Sequence, residues 1–185
     1  MVKAAVCREF GAPLVVEEIE VSPPGPGEVR VTVKACAICH SDIMLGEGSW
    51  GGVLPGVYGH EAAGEIESVG EGVDTVVVGD RVVISLIRSC GQCHACVSGI
   101  HPSCTGEFGI DSSAPLCGQE GEAITHGLGT ATFAEQAVVD ASQVVKLPDD
   151  IPWASASMLG CGVITGFGAV VNTAKIEAGS HVAVI

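Results

Sequence analysis

The sequence predicts a mainly β fold with some α: a partly open β-barrel, followed by the first helix and strand of a second unit. Three observations carry this. The segment Glu28–Ala35 alternates Val29, Val31, Val33 and Ala35 with Arg30, Thr32 and Lys34, the period-two pattern of a strand buried on one face. Short Val- and Ile-rich runs recur at 61–70, 74–85 and 133–140, with Gly-Glu and Gly-Asp turn signals punctuating the first two about a dozen residues apart. Beyond Lys146 the texture changes: Asp150, Pro152 and Trp153 open an Ala- and Ser-rich stretch, and small and apolar residues run through 162–174, where helices are expected.

Residues 22–28, SPPGPGE, form a stiff turn between early strands and are too short to be an interdomain linker. The alternating strand that follows delivers the chain to Cys36 and Cys39. Residues 46–51, GEGSWG, fit the Gly-x-Gly-x-x-Gly pattern of a dinucleotide-binding turn. No strand precedes them, however, and Gly51-Gly52 opposes a helix start, so the match is formal. Residues 177–185, EAGSHVAVI, read as a turn and then a buried strand with nothing left in the sequence to pair with.

With 185 residues, 47% of them hydrophobic, the chain can bury the core of one domain, or of one domain and part of another. The net charge of −14 comes from 22 acidic against 8 basic residues, and no lysine or arginine cluster offers a footprint for phosphates. No nucleic-acid partner is expected. The first apolar run is broken by Arg8 and Glu9 before a small-residue cleavage site, so no signal peptide is expected. No stretch reaches the roughly 18 uninterrupted apolar residues of a membrane span, and the expectation is a soluble, cytoplasmic protein without a membrane partner. Nine cysteines, an odd number without a secretion signal, fit metal thiolates in a reducing compartment better than a disulfide scaffold.

The densest cluster is CGQCHACVSGIHPSC, which places Cys90, Cys93, Cys96 and Cys104 in a C-x2-C-x2-C-x7-C spacing. Two-residue gaps let successive thiolates fold around one ion, and the fourth closes a tetrahedron that has no open position. Such a site staples a loop and performs no chemistry. An iron–sulfur cluster uses the same four ligands, and the spacing does not separate the two. His94 and His101 lie near enough to compete but are read as loop residues. Cys7, Cys36 and Cys117 are read as small buried residues.

A second signal is GVYGHEAAGEIESVGEGV, with Gly59-His60-Glu61 followed by Gly64, Gly70 and Val73. With the CHSD of residues 39–42 and the GCGVITG of residues 160–166, it resembles the zinc-dependent medium-chain alcohol dehydrogenases. That signature runs Gly-His-Glu, two residues, Gly, five residues, Gly, two residues, Val, and is matched at every fixed position. The four-cysteine loop resembles the same family's structural zinc lobe. The resemblance extends from the N-terminal strands to Ile185. It implies a GroES-like barrel over residues 1–162 and the truncated start of a Rossmann nucleotide-binding domain over 163–185.

Carried over to this sequence, the resemblance makes Cys39, His60 and Cys161 the ligands of a catalytic zinc, with water or substrate oxygen in the fourth position. Two thiolates and a neutral imidazole balance the ion's charge while leaving it a Lewis acid with a vacancy. Ser41 resembles the hydroxyl that takes the alcohol's proton. Asp42 matches the carboxylate that orients the histidine ligand. Glu61 stands near the metal as an exchangeable ligand or electrostatic neighbour, or else forms an ion pair. His40 stands where the family places a basic residue against the cofactor pyrophosphate, or else is an exposed loop histidine. One departure is Met44, where many relatives carry the histidine that ends the proton relay.

The family's substrate-pocket positions fall on Trp50, Gly127 and Leu128, with Leu86 or Ile87 contributing. Gly127 replaces what is often a bulky aromatic, so the inner pocket is expected to be wide on that side, with Trp50 as an apolar wall at its mouth. Medium-length or aromatic primary alcohols are then expected to be preferred to ethanol.

The implied activity is reversible oxidation of a primary or secondary alcohol to an aldehyde or ketone by hydride transfer to NAD. A thiol-adduct formaldehyde dehydrogenase and a polyol dehydrogenase share the metal chemistry, and a non-enzymatic zinc-binding module is the reading of another class. The resemblance further implies a dimer or tetramer at full length. The chain by itself is expected to be catalytically silent, because the glycine-rich cofactor turn would begin just after Ile185. Elemental analysis of protein purified without added metal should give about two zinc ions per chain. A value near one that survives Cys90→Ser but vanishes in His60→Ala would rule out the structural site.

Overall fold

In a computed structural model describing all 185 residues, the alternating segment becomes the longest strand, and the others are arranged around it. Ten strands form: β1 (Val2–Cys7), β2 (Val15–Val21), β3 (Glu28–Ala37), β4 (Gly56–Val57), β5 (Glu61–Val69), β6 (Arg81–Ile84), β7 (Leu116–Gly118), β8 (Thr125–His126), β9 (Gln136–Asp140) and β10 (Val144–Lys146). Five short helices accompany them: α1 (His40–Gly46), α2 (His94–Val97) and α3 (Ile110–Ser113) between strands, and α4 (Trp153–Ser157) and α5 (Gly162–Gly168) after the last one.

The strands form two five-stranded sheets, ordered β7-β2-β1-β4-β8 and β10-β6-β5-β3-β9. Pairing is antiparallel except between β4 and β8. The sheets meet where Ala4 bridges Ala134 and the Ala5 N–H donates to the Phe133 carbonyl at 2.8 Å, which brings the barrel close to closure. The alternation is physical: Val29 and Val31 of β3 are fully buried, packing with Ala62, Ile66, Val82, Ile84 and Val139, while Arg30 reaches outward to Glu67. A second core gathers Val6, Ile19, Val57, Leu116 and Val138.

The pairing of β3 with β5 sets where chemistry can occur. The register slips between Arg30 and Val31 and again between Val33 and Ala35, and the ladder ends with Ala37 opposite Glu61. Residues just after β3 and just before β5 therefore emerge side by side. Two of the signature glycines serve this close packing. A Cβ on Gly64 would collide with the Thr32 carbonyl, and one on Gly70 with the Gly25 carbonyl. These positions exclude side chains for want of space.

Two expectations change. The run at 74–85 is a strand only from Arg81 onward. Val77 and Val78 are 59% and 62% exposed in a turn closed by the Val77 N–H on Asp80 Oδ2 at 2.8 Å, with Gly79 at φ +89. The expected strand at 181–185 makes no ladder, because an extended segment without a neighbouring strand has only water to satisfy its backbone. The predicted helices do form: α4 leads through a 3-10 turn (Met158–Gly160) into α5, which continues as a π turn (Ala169–Thr173). No single helix is long and apolar enough to cross a membrane.

Gly64→Ala should cost about 3 kcal/mol, the upper part of the overpacking range, because the obstructing atom is backbone. Gly166→Ala, in α5 with open space around its Cβ, should instead stabilise the chain by a fraction of a kcal/mol, about 0.5. Urea midpoints of the two variants should move in opposite directions.

Candidate metal centres

The four-cysteine loop converges as its spacing demands. The sulfurs of Cys90, Cys93, Cys96 and Cys104 all lie within 4.8 Å of one another. Backbone N–H groups point at them: Cys93 N–H to Cys90 Sγ at 3.4 Å, Cys96 N–H to Cys93 Sγ at 3.5 Å, and Cys90 and Gly106 N–H to Cys104 Sγ at 3.3 Å each. Such donors favour thiolate over thiol. The Cys93 thiol is pulled down to about 5, chiefly by the backbone N–H groups of Thr105 and Cys96. The donor set thus fits a cation held by four sulfurs. His94 and His101 are exposed outside the cluster, and His101 Nδ1 meets Ser89 Oγ at 2.9 Å. All nine cysteines are free of disulfides.

The second centre is assembled from three separate parts of the chain. Cys39 follows β3, His60 precedes β5, and Cys161 sits between α4 and α5; with Glu61 their ligand atoms lie within 4.8 Å of one another. Cys161 is brought in because Gly160 packs against the carbonyl of Ile84 at the end of β6, where no Cβ could fit. Cys39 is the N-cap of α1, and Asp42 three residues on completes a capping box, accepting the Cys39 N–H on Oδ2 at 2.9 Å.

The other carboxylate oxygen of Asp42 accepts the Gly59 N–H at 3.1 Å and faces His60 Nδ1 at 3.0 Å. Nδ1 therefore carries the proton, and the lone pair of Nε2 points into the cluster. His60 is fully buried, and its Nε2 has no hydrogen-bond partner. A buried nitrogen without a partner is costly unless something binds it, and a metal ion beside two thiols meets that need. Burial alone would lower the His60 pKa. The bond to Asp42 and its charge, followed by Cys39, outweigh burial and raise it, which makes the imidazole a better donor. Burial would likewise raise the Cys39 thiol, but the backbone N–H and hydroxyl of Ser41, together with His60, bring it below its ordinary value.

The remaining expected site residues are placed as follows. Ser41 Oγ lies 3.6 Å from Cys39 Sγ. Glu61 is buried, forms no ion pair, and accepts the Gly162 N–H on Oε2 at 3.0 Å, so it ties the Cys161 turn to β5. His40 is exposed at the first turn of α1, and Met44 is half-buried in the same helix. Trp50 is 59% exposed in a glycine-rich turn. Leu128 occupies a left-handed conformation at φ 56. Leu86 is exposed and Ile87 half-buried after β6.

Gly127 corrects an expectation. A Cβ there would lie 2.5 Å from both Tyr58 Cδ1 and the Val57 carbonyl, so the space that a missing aromatic would have left is filled by the Tyr58 ring. Gly127→Phe is therefore expected to disrupt β4 and not to reshape a pocket. Sequence reading assigns no role to Gly160, hinted at only by its place beside Cys161, or to Thr130, for which no sequence signal exists; it marks Gly59 as a signature glycine without its packing role.

Barrel, four-sulfur lobe and open cluster together define the catalytic-domain architecture of zinc-type medium-chain alcohol dehydrogenases. Comparison with known proteins agrees. A family model described as "Alcohol dehydrogenase GroES-like domain" matches residues 25–149. Alcohol dehydrogenase class-3 of Drosophila melanogaster is 42% identical over 191 residues, covering 98% of this chain and 50% of the relative. S-(hydroxymethyl)glutathione dehydrogenase of Komagataella pastoris is 41% identical, with 98% and 50% covered. The crystal structure of an alcohol dehydrogenase zinc-binding domain protein from Burkholderia ambifaria superposes with a TM-score of 0.88 at 34% identity, over 97% of this chain and 50% of that one. The chain belongs to the alcohol dehydrogenase GroES-like domain family, and it spans about half the length of these relatives.

Asp42→Asn keeps the shape of the side chain but turns an amide NH2 toward one of three N–H donors. Zinc affinity of the open cluster should fall by about tenfold to a hundredfold, measured by chelator competition, while the four-cysteine site holds its metal.

Proposed function

We propose that the chain forms the zinc-binding catalytic part of an NAD-dependent alcohol dehydrogenase that reversibly oxidises a primary or secondary alcohol to an aldehyde or ketone. The observation that carries this reading is His60 Nε2, buried and unpartnered, facing Cys39, Cys161 and Glu61. A structural zinc needs four closed ligands, whereas two thiolates and one imidazole leave a fourth position at which the Glu61 carboxylate, already bonded to the Gly162 N–H, exchanges with substrate. That difference speaks against a non-enzymatic zinc module.

In this reading Cys39, His60 and Cys161 hold the catalytic zinc, and Cys90, Cys93, Cys96 and Cys104 a structural one. The catalytic ion would supply Lewis acidity, lowering the pKa of an alcohol oxygen toward neutrality. Asp42 keeps the His60 ring in the tautomer that presents Nε2. Ser41, beside Cys39, receives the alcohol's proton through its hydroxyl. Met44 has no atom that can carry the proton further, so it leaves by water or by a cofactor hydroxyl. Glu61, held by the Gly162 N–H, places a carboxylate against the cluster and opposes excess negative charge on substrate. His40, exposed on α1, is available to a cofactor phosphate.

We assign residues 1–162 to the catalytic domain and 163–185 to the start of a nucleotide-binding domain. In support, side chains beyond Cys161 are largely uncovered, with Val163, Ile164 and Phe167 between 44% and 67% exposed. NAD would bind to further chain of the kind that makes the relatives twice as long. Nine unpaired thiols favour the cytoplasm, and a dimer or tetramer is assigned to the full-length enzyme. The Komagataella pastoris relative favours a second reading, oxidation of a thiol adduct of formaldehyde.

The test joins the chain to a nucleotide-binding domain and follows NADH absorbance with simple alcohols, polyols and S-(hydroxymethyl)glutathione. Turnover of alcohols that is lost in Cys39→Ser, with none from the 185-residue chain alone, is the expected result. Turnover persisting in both Cys39→Ser and His60→Ala would overturn the proposal, and turnover of the glutathione adduct alone would establish the second reading.

A further inference from the structure

The Asp42 bond orients the His60 ring, but the place of the ring depends on the backbone that carries it. Gly59, whose carbonyl belongs to the peptide that carries His60, is held by both of its backbone groups. Gly59 donates its N–H to Asp42 Oδ1 at 3.1 Å, and its carbonyl accepts two bonds: Thr130 Oγ1 at 2.8 Å and the Thr132 N–H at 3.1 Å. Thr130 is fully buried and Thr132 is 1% exposed, so neither bond competes with water. Gly59 itself has φ +91, and a Cβ there would meet Phe133 at 2.6 Å, so the chain passes His60 in a conformation that no other residue adopts readily. The segment supplying these contacts, Thr130–Phe133, lies far from His60 in sequence and outside the metal cluster.

We infer that Thr130 is a positioning residue for the open metal cluster: its buried hydroxyl, through the Gly59 carbonyl, holds His60 Nε2 at the distance that Cys39 and Cys161 require. This rests on the metal reading of that cluster. The Thr132 N–H is one attachment of the Gly59 carbonyl. The hydroxyl of Thr130 adds the second point of attachment, and a loss of position at Nε2 is felt directly in metal affinity. The other contact of the Thr130 hydroxyl is to the Gly127 carbonyl, an acceptor at the longer distance of 3.5 Å, so the hydroxyl proton serves Gly59.

The test is zinc release from the zinc-loaded chain against a graded chelator, followed by elemental analysis, with urea unfolding measured in parallel. The release step that disappears in His60→Ala identifies the open cluster. Thr130→Val, which keeps the shape and removes the hydroxyl, should shift that step to about tenfold lower chelator and leave the four-cysteine step in place. Thr130→Ser should restore it. Ile19→Val removes a fully buried methylene from β2 in the other sheet and should lower the urea midpoint without moving either release step. If Thr130→Val does not fold, Thr130→Ala makes room and is read in the same way. The inference falls if both steps move together, if neither moves, if serine fails to restore the step, or if every variant is recovered unfolded, which would assign the hydroxyl to stability alone. A wild-type chain with a single release step would remove the metal reading itself, a result distinguishable from these.

Discussion

A single carboxylate, that of Asp42, joins the two strands on which the open cluster depends. It is 5% exposed, in a place where an uncompensated charge would cost several kcal/mol. It is satisfied by three N–H donors from both sides of the fold: Cys39 after β3, and Gly59 and His60 before β5. The same group caps α1, fixes the tautomer of His60 and sets the spacing of two ligand-bearing segments. Only the slipped register of β3 on β5, ending with Ala37 opposite Glu61, brings those segments close enough for one carboxylate to reach both.

Around that bond the structure achieves close approach by removing side chains. Gly59 lets the chain pass Phe133, Gly64 lets β5 lie on the Thr32 carbonyl, and Gly160 lets the third ligand segment touch the end of β6. Each contact is backbone against backbone, or against a ring, with nothing flexible to yield, so the cluster is held by packed main chain more than by its own side chains. The buried lone pair of His60 Nε2 is the consequence: a preformed electron donor facing Cys39, Cys161 and Glu61. The four-cysteine lobe is built differently. Its ligands lie within one loop, and the N–H groups that stabilise its sulfurs come from the loop itself. It needs little from the barrel, which is consistent with a stapling role.

The pocket expectation shows how a missing side chain can mislead about space. At Gly127 the absence of a side chain suggests room. Tyr58, just past β4 and two residues before His60, puts its own ring there. Volume in a packed interior belongs to the neighbourhood as a whole, and it cannot be inferred from one missing side chain.

Whatever depended on short-range geometry was readable from residue order. The convergence of Cys90, Cys93, Cys96 and Cys104 follows from two-residue gaps, and the burial of Val29 and Val31 from period-two alternation. What tertiary structure alone decided involves residues that only folding brings together. The clamp of Thr130 on the Gly59 carbonyl, the fit of Gly160 against Ile84 and the occupation of the space beside Gly127 by Tyr58 are of this kind.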